Sequence, residues 1–490
     1  MTQLDQKLSR IVEILAKASI LLLLLLYLFC IFRQNKFSFG KESLHFGVGI
    51  ALLLTAAAMF LSARIKSEKA AVIMIAVLSF GLYFVWNSFV KPEPISDYKV
   101  LWDGAGQIVN GTFHDRAIKK DDYFCFYNFQ IGYAFYLSIL YRLFKGSLAA
   151  VRIARYAVLT ATNIVLYKTL RLYVSRRASF FGSMLFLMWP FIYIGSGILN
   201  NQHEALFLEA LAIYIYLKNS GKNAPFYKWI VCSLILSIAI VLRPTANILL
   251  LAVIVLPVLQ FILKRDRQYL ICTAVMLVTY FVSSNLINEA FILSGLAPYG
   301  LKTDNLWFKL LLGLTGGNIT NQPTIDAEHT DLYFDLKAFG FDYDAYKSAA
   351  SSYLIDLFRS HKFSMNYLFN KVANYAGFLD NINVFLGSKD IPSDHMVIEI
   401  LEYTGMTVYF VAVFFAGICC AVNKVIEKDE ICLPAIAFGG YFAIYVLFEA
   451  VTRYRYEQYY LLFIMAVPAM SYVWNRIREK RQLGNGLCKF

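Results

Sequence analysis

The feature that most constrains this chain is the recurrence of apolar runs about as long as a bilayer is thick. A hydrocarbon core of about 30 Å takes roughly 20 residues of helix. Within lipid, only helices and closed barrels satisfy their own backbone hydrogen bonds. Barrel strands alternate lipid-facing apolar and lumen-facing polar residues, and the stretch Ile20 to Phe29 does not alternate. Hydrophobic residues make up 59% of the chain and charged residues 16%, against about 45–50% and about 25% in soluble domains. The pattern predicts an all-α polytopic membrane protein.

Apolar runs predict spans near 12–32, 44–63, 70–90, 126–144, 148–170, 178–198, 203–218, 229–242, 246–263, 269–294, 396–421, 431–450 and 457–475. The first is too long, and its exit too bulky, for a cleaved signal peptide. The formal charge of +13, from 46 basic and 33 acidic residues, lies largely in short loops beside these runs. That is a membrane pattern with anionic lipid as neighbour, not a nucleic-acid footprint. Arg64, Lys66 and Lys69, Arg171, Arg176 and Arg177, Lys218, Lys222 and Lys228, and Lys264, Arg265 and Arg267 mark cytoplasmic loops. The basic tail with Arg476, Arg478, Lys480 and Arg481 belongs on the same side.

Counting back from the tail and forward from a cytoplasmic N-terminus disagrees by one span. The aromatic, polar-studded segment 126–144 is the one expected not to cross fully, so twelve or thirteen transmembrane helices are expected, with external juxtamembrane helices. The expected organisation is two additional N-terminal helices (1–69), a module at 70–294 with its first large external loop at 91–125, an external insert at 295–395, C-terminal helices at 396–475 and a tail at 476–490. The insert carries eleven acidic and eight basic residues; loops this long are uncommon unless functional. Its apolar spacing over 345–379 predicts a helix resting on the membrane surface. The eight cysteines show neither a disulfide framework nor metal spacing. No metal or other cofactor is expected, with room left for a loosely bound divalent ion.

Several residues can carry chemistry at the external edge. In the loop Ser96-Asp97-Tyr98 to Gly111, Ser96 or Asp97 is placed to cap a helix of about fourteen residues, with Tyr98, Leu101 and Trp102 toward the bilayer. Asp97 alternatively is a general base held just above lipid. Asp103 falls on a different face. Asn201 and Glu204 begin a span that also contains Glu209; Glu204 is either functional, solvated or a helix cap. Arg243, in Leu242-Arg243-Pro244-Thr245, either grips a phosphate or snorkels. Arg453 and Arg455 stand on the outer side against the positive-inside trend, which calls for an anionic ligand or for pairing with Glu449 or Glu457.

In their order, these pieces resemble the C-type (GT-C) glycosyltransferase superfamily, in particular bacterial members related to protein O-mannosyltransferases and lipid A aminoarabinose transferases. The resemblance rests on Ser96-Asp97-Tyr98, the basic turn Ser175 to Ala178, Trp189-Pro190 leading to Asn201 and Glu204, Leu242 to Thr245, Leu310 to Asn318, and the run at 453–456. It covers most of residues 70–475. It implies a polyprenyl (undecaprenyl) phosphate-linked sugar as donor and inversion at the anomeric carbon. Asp97 would be the catalytic base, and Arg243, Arg453 and Arg455 the lipid-phosphate holders. Tyr98, Asp103, Asn201 and Glu204 would line the donor and acceptor cleft. The acceptor would be a cell-envelope glycan or a lipid-linked molecule, reached from an active site facing outside a multi-pass cell membrane protein. The chain departs from the family in having two spans before the one leading to Asp97. It also has Tyr98 where protein O-mannosyltransferases carry a second acid, which argues against a protein acceptor. A flippase or transporter, or a polymerase of lipid-linked saccharides, is the alternative.

Overall fold

A computed structural model describes residues 3–35, 41–219, 225–301, 306–315, 339–340, 342–360, 365–377, 396–422, 425, 432–448 and 452–487; the side chains of residues 3–16 and of Arg453 are among those outside the description. The described chain is helical throughout. The helices are α1 (Gln3–Asn35), α2 (Glu42–Arg64), α3 (Glu68–Val90), α4 (Ser96–Asn110), α5 (His114–Ile118), α6 (Tyr123–Phe126), α7 (Ile131–Leu143), α8 (Leu148–Leu170), α9 (Arg176–Leu187) and α10 (Pro190–Ile194). There follow α11 (Asn201–Asn219), α12 (Phe226–Leu242), α13 (Asn247–Lys264), α14 (Arg267–Leu293), α15 (Leu306–Thr315), α16 (Tyr343–Arg359), α17 (Met365–Gly377), α18 (Met396–Ala421), α19 (Cys432–Leu447) and α20 (Tyr456–Leu487).

Local chemistry sets many of the boundaries. Ser67, Asp122, Ser147 and Asp266 accept hydrogen bonds from free backbone N–H groups at the starts of α3, α6, α8 and α14. Gly111 closes α4 at φ 74°, a left-handed conformation that glycine adopts without strain. Side chains cover lipid-facing surfaces with exposed Leu, Phe, Ile and Val, as on α2 and α14.

Six described helices are long and apolar enough to cross a membrane, seven if the bent pair α9–α10 counts as one span. This multi-pass pattern meets the expected fold class, and the described residues supply these six or seven of the expected twelve or thirteen spans. The difference lies partly in α12 and α19, which are apolar but shorter. It lies also in helices such as α11 that bury charged side chains. The predicted span 126–144 is broken into α6, a 3-10 turn at Asn128–Gln130 and α7. At thirteen residues, α7 is about 20 Å long, short of the hydrocarbon core. The insert segment 345–379 forms two helices rather than one. In the second, α17, Lys371, Ala373, Tyr375 and Ala376 are buried, and it packs along α1.

The bundle has two distinct ends. At one, Glu68 pairs with Lys168 and Arg171 at 3.1 and 3.2 Å, and Arg176 donates to the Ile65 carbonyl. At the other, Arg152 donates to the carbonyls of Pro92 and Gly197, and Asn87 donates to Ser196. α3 and α8 therefore run antiparallel, and the basic turns at 64–69 and 171–177 share one end. The starts of α4, α8, α11 and α20 meet with the last turn of α12 at the opposite end.

Candidate active site

The centre of that opposite end is the first turn of α11. Asn200, Asn201, Gln202, His203 and Glu204 are all buried there. Two arginines approach it from either side. Arg155, on the second turn of α8, is fully buried and donates from Nε to Glu204 Oε1 at 2.6 Å. Its Nη2 donates to the Asn200 carbonyl at 2.8 Å and to His203 Nδ1 at 2.9 Å. Glu204 is thus neither solvated nor a cap but half of a buried ion pair. Two buried atoms of this group, Arg155 Nη1 and His203 Nε2, make no hydrogen bond among the described residues. The Tyr133 phenol lies beside Glu204 and Arg155, and Tyr98 neighbours Tyr133.

Arg243 stands on the other side, where the α12 helix ends and Pro244 cannot continue its hydrogen bonding. Its Nε lies 3.1 Å from Glu457 Oε1 and 2.8 Å from Thr245 Oγ1, and Nη1 donates to Asn201 Oδ1 at 3.1 Å. The guanidinium carbon sits 5.1 Å from the centroid of the Tyr454 ring, within cation–π reach. Arg243 is only 8% exposed, so it turns inward instead of snorkelling. Behind it, Tyr441 donates to Glu209 Oε2 at 2.9 Å, and Glu209 faces the Glu457 charge.

Asp97 lies on α4 at the same end. Its neighbour Ser96 is held at φ 48°, in the left-handed region unusual for a side-chain-bearing residue. The expected cap is not made: Ile95 is the N-cap, with no side-chain hydrogen bond. Asp97 is exposed and its carboxylate has no hydrogen-bond or ion-pair partner among the described residues. It sits in the first turn, where the helix dipole favours negative charge. The phenol of Tyr123 is pushed well above its usual range by burial and by the nearby Asp97 charge. Tyr454, under Arg243, is a further neighbour of that phenol.

Of the residues singled out by sequence, Asp97, Tyr98, Asn201, Glu204 and Arg243 share this end. Asp103 does not join them, because it forms an exposed i,i+4 ion pair with Lys99 at 3.0 Å. Arg455 is buried, donates to the Ala376 carbonyl at 3.1 Å and lies over the Tyr409 ring. Glu457 pairs with Arg243. The Arg453 side chain and Glu449 lie outside the described residues, as do residues 316–318 of the Leu310 to Asn318 motif. Arg155 and Glu457 are central residues that sequence reasoning did not place in the site. An arginine three turns or fewer inside an apolar run was the available signal for the first. Among the described residues no group of three or more His, Cys, Asp or Glu is placed to hold a metal ion.

Residues 131–287 match the model of a family described as dolichyl-phosphate-mannose-protein mannosyltransferase. The resemblance to C-type glycosyltransferases holds. The matched segment contains Arg155, Asn201, His203, Glu204 and Arg243, while Asp97 and Glu457 lie outside it. One solved structure similar to the chain is that of ArnT from Cupriavidus metallidurans bound to undecaprenyl phosphate. The two share 11% identity over 83% of this chain and 78% of that one, with a TM-score of 0.34. No curated protein sequence matches. The family match covers about a third of the chain, and both arginines lie inside it.

Proposed function

We propose that the chain is an inverting glycosyltransferase that moves a sugar from an undecaprenyl-type polyprenyl phosphate onto a cell-envelope glycan or lipid-linked acceptor. The observation that carries this reading is the placement at one end of the bundle of the exposed Asp97 carboxylate and, across the first turn of α11, the buried Arg243 guanidinium over the Tyr454 ring. In the reaction, an acceptor hydroxyl oxygen bonds to the anomeric carbon as the bond from that carbon to the phosphate oxygen breaks. The hydroxyl proton passes to Asp97, and the bonding electron pair leaves with the lipid phosphate. Arg243 offers the leaving phosphate a planar cation, and Arg455 is a further candidate nearby in the same segment as Glu457. Lipid phosphate leaves readily, so positioning and charge stabilisation supply most of the catalysis.

The outer face is supported by charge. The site lies at the end of the bundle opposite the basic turns around Arg64 and Arg171 to Arg177, which the positive-inside trend assigns to the cytoplasm. The decisive measurement is sugar transfer from an undecaprenyl-phosphate donor by purified Asp97→Asn protein. Loss of a general base lowers the rate about 10²–10⁴-fold. Undiminished transfer by Asp97→Asn rejects the catalytic assignment of that carboxylate, whereas wild-type protein that transfers no sugar returns the flippase reading.

A further inference from the structure

The Arg155, His203 and Glu204 cluster has donors left over, and their arrangement is specific. A guanidinium can only donate, so the 2.9 Å contact from Arg155 Nη2 requires His203 Nδ1 to accept. The ring is then neutral with its hydrogen on Nε2. That Nε2–H has no acceptor among the described residues, and Arg155 Nη1 is likewise unused. The Tyr133 hydroxyl reaches the remaining side of the Glu204 carboxylate. Arg155, His203 and Glu204 are all at least 97% buried, where an unmade hydrogen bond is costly.

The backbone around the cluster is also unusual. α9 and α10 bend by 66°, and a 3-10 turn at Gly195–Gly197 follows before α11 begins. Irregular backbone at membrane depth persists where it is buried in protein or lines a polar cavity. Gly195 comes close to both His203 and the Tyr456 hydroxyl, and a side chain there would strike the latter. Tyr456 crosses the His203 ring edge-on with centroids 5.0 Å apart, and its hydroxyl donates to the Phe191 carbonyl.

We infer that Arg155, His203 and Glu204 form a subsite for ligand hydroxyl groups, namely those of the sugar ring carried by the donor lipid. The assignment rests on the polyprenyl-phosphate reading above and adds the place where the sugar is held. Arg155 and Glu204 neutralise each other, so the cluster does not call for a second anion. Two unused donors, one from α8 and one from α11, beside the Glu204 carboxylate suit a pair of neighbouring hydroxyls, each of which both gives and accepts hydrogen bonds. The position fits a sugar joined directly to a phosphate. His203 experiences both Arg155 and Arg243, and Asn201, two residues earlier, holds Arg243.

Ordered water offers the same hydroxyl chemistry, so the test must separate it from a sugar. Purified full-length protein is titrated with undecaprenyl phosphate and with its mannosyl, glucosyl and aminoarabinosyl phosphodiesters. His203→Asn keeps an acceptor at the Nδ1 position for Arg155 and removes the Nε2 donor; His203→Gln keeps a donor near Nε2. The wild type is expected to bind at least one sugar-bearing lipid more tightly than the bare phosphate. His203→Asn should weaken that lipid about tenfold while leaving undecaprenyl phosphate unchanged, and His203→Gln should restore part of the loss. Equal weakening of both lipids, or no weakening, assigns the cluster to water or structure and overturns the subsite. Wild type that binds undecaprenyl phosphate with no preference for any sugar form overturns the subsite alone. Wild type that binds none of the lipids overturns the donor reading and the subsite with it.

Discussion

Two arginines flank the first turn of α11, and they are held in different ways. Arg155 makes its three hydrogen bonds to residues 200–204 of a single short segment, so it pins one turn of helix to α8. Arg243 instead joins segments far apart in the chain: its own turn through Thr245, α11 through Asn201 and α20 through Glu457. Its guanidinium also lies over the Tyr454 ring. The first pair is a closed unit with one carboxylate. The second has a further carboxylate, Glu209, behind Glu457. A cation at a junction of separate chain segments can exchange one anionic partner for another, whereas a cation closed within one turn has no partner to give up.

The sharpest way to break this contrast is to remove Arg155. Arg155→Met leaves Glu204 buried without its cation and frees the Asn200 carbonyl. Breaking one side of a buried ion pair costs about 3–5 kcal/mol. The variant should show a correspondingly early unfolding transition in detergent. Replacing both partners, as in Arg155→Met with Glu204→Leu, should recover much of that stability, because an apolar pair of similar volume is often neutral. A single variant as stable as wild type contradicts the role of Arg155 as a pin.

Next in size is Arg243→Gln. If the exchangeable cation receives lipid phosphate, its loss removes a charge-assisted hydrogen bond, about 1.5–3 kcal/mol, or roughly 10–100-fold in affinity for undecaprenyl phosphate. The effect belongs in binding, measured by titration of the folded variant at matched stability. Unchanged affinity would transfer the phosphate role away from Arg243 and leave Arg455 as the described candidate.

These two arginines also show where the sequence was legible and where it was not. Hydropathy over about twenty residues is local information, so α2, α3, α8, α13, α14 and α18 could be drawn from it. α4 emerged nearly as expected, from Ser96 to the glycine at 111. Arg243 stood out because Pro244 interrupts an apolar run beside it. Arg155 did not, since its partner Glu204 lies 49 residues away and nothing in Val151 to Tyr156 marks the pairing. Glu457 reads naturally as a partner for its neighbour Arg455, and only packing of α20 against α11 and α12 turns it to Arg243. Asp103 shows the reverse error: near Asp97 in sequence, it points to the exposed face of α4, where Lys99 takes it up. Segment 126–144 has enough apolar residues for a span but is divided by the turn at Asn128–Gln130.

The smallest expected effect tests the second carboxylate on the Arg243 side. In Glu209→Gln the amide oxygen can keep accepting from Tyr441, and the side chain keeps its length and shape. What is removed is the possibility of a second negative charge facing Glu457. If Glu209 serves only as a hydrogen-bonded neutral partner, the change should alter stability by less than about 1 kcal/mol. Unfolding midpoints of the wild type and variant, compared at one pH and in one detergent, read this directly. A loss of several kcal/mol would mean that the Glu209 charge is needed to balance Arg243, and the Arg243 side would then be a closed three-charge unit. The distinction from Arg155 would lie in which segments are joined, and no longer in whether the cation can change partners.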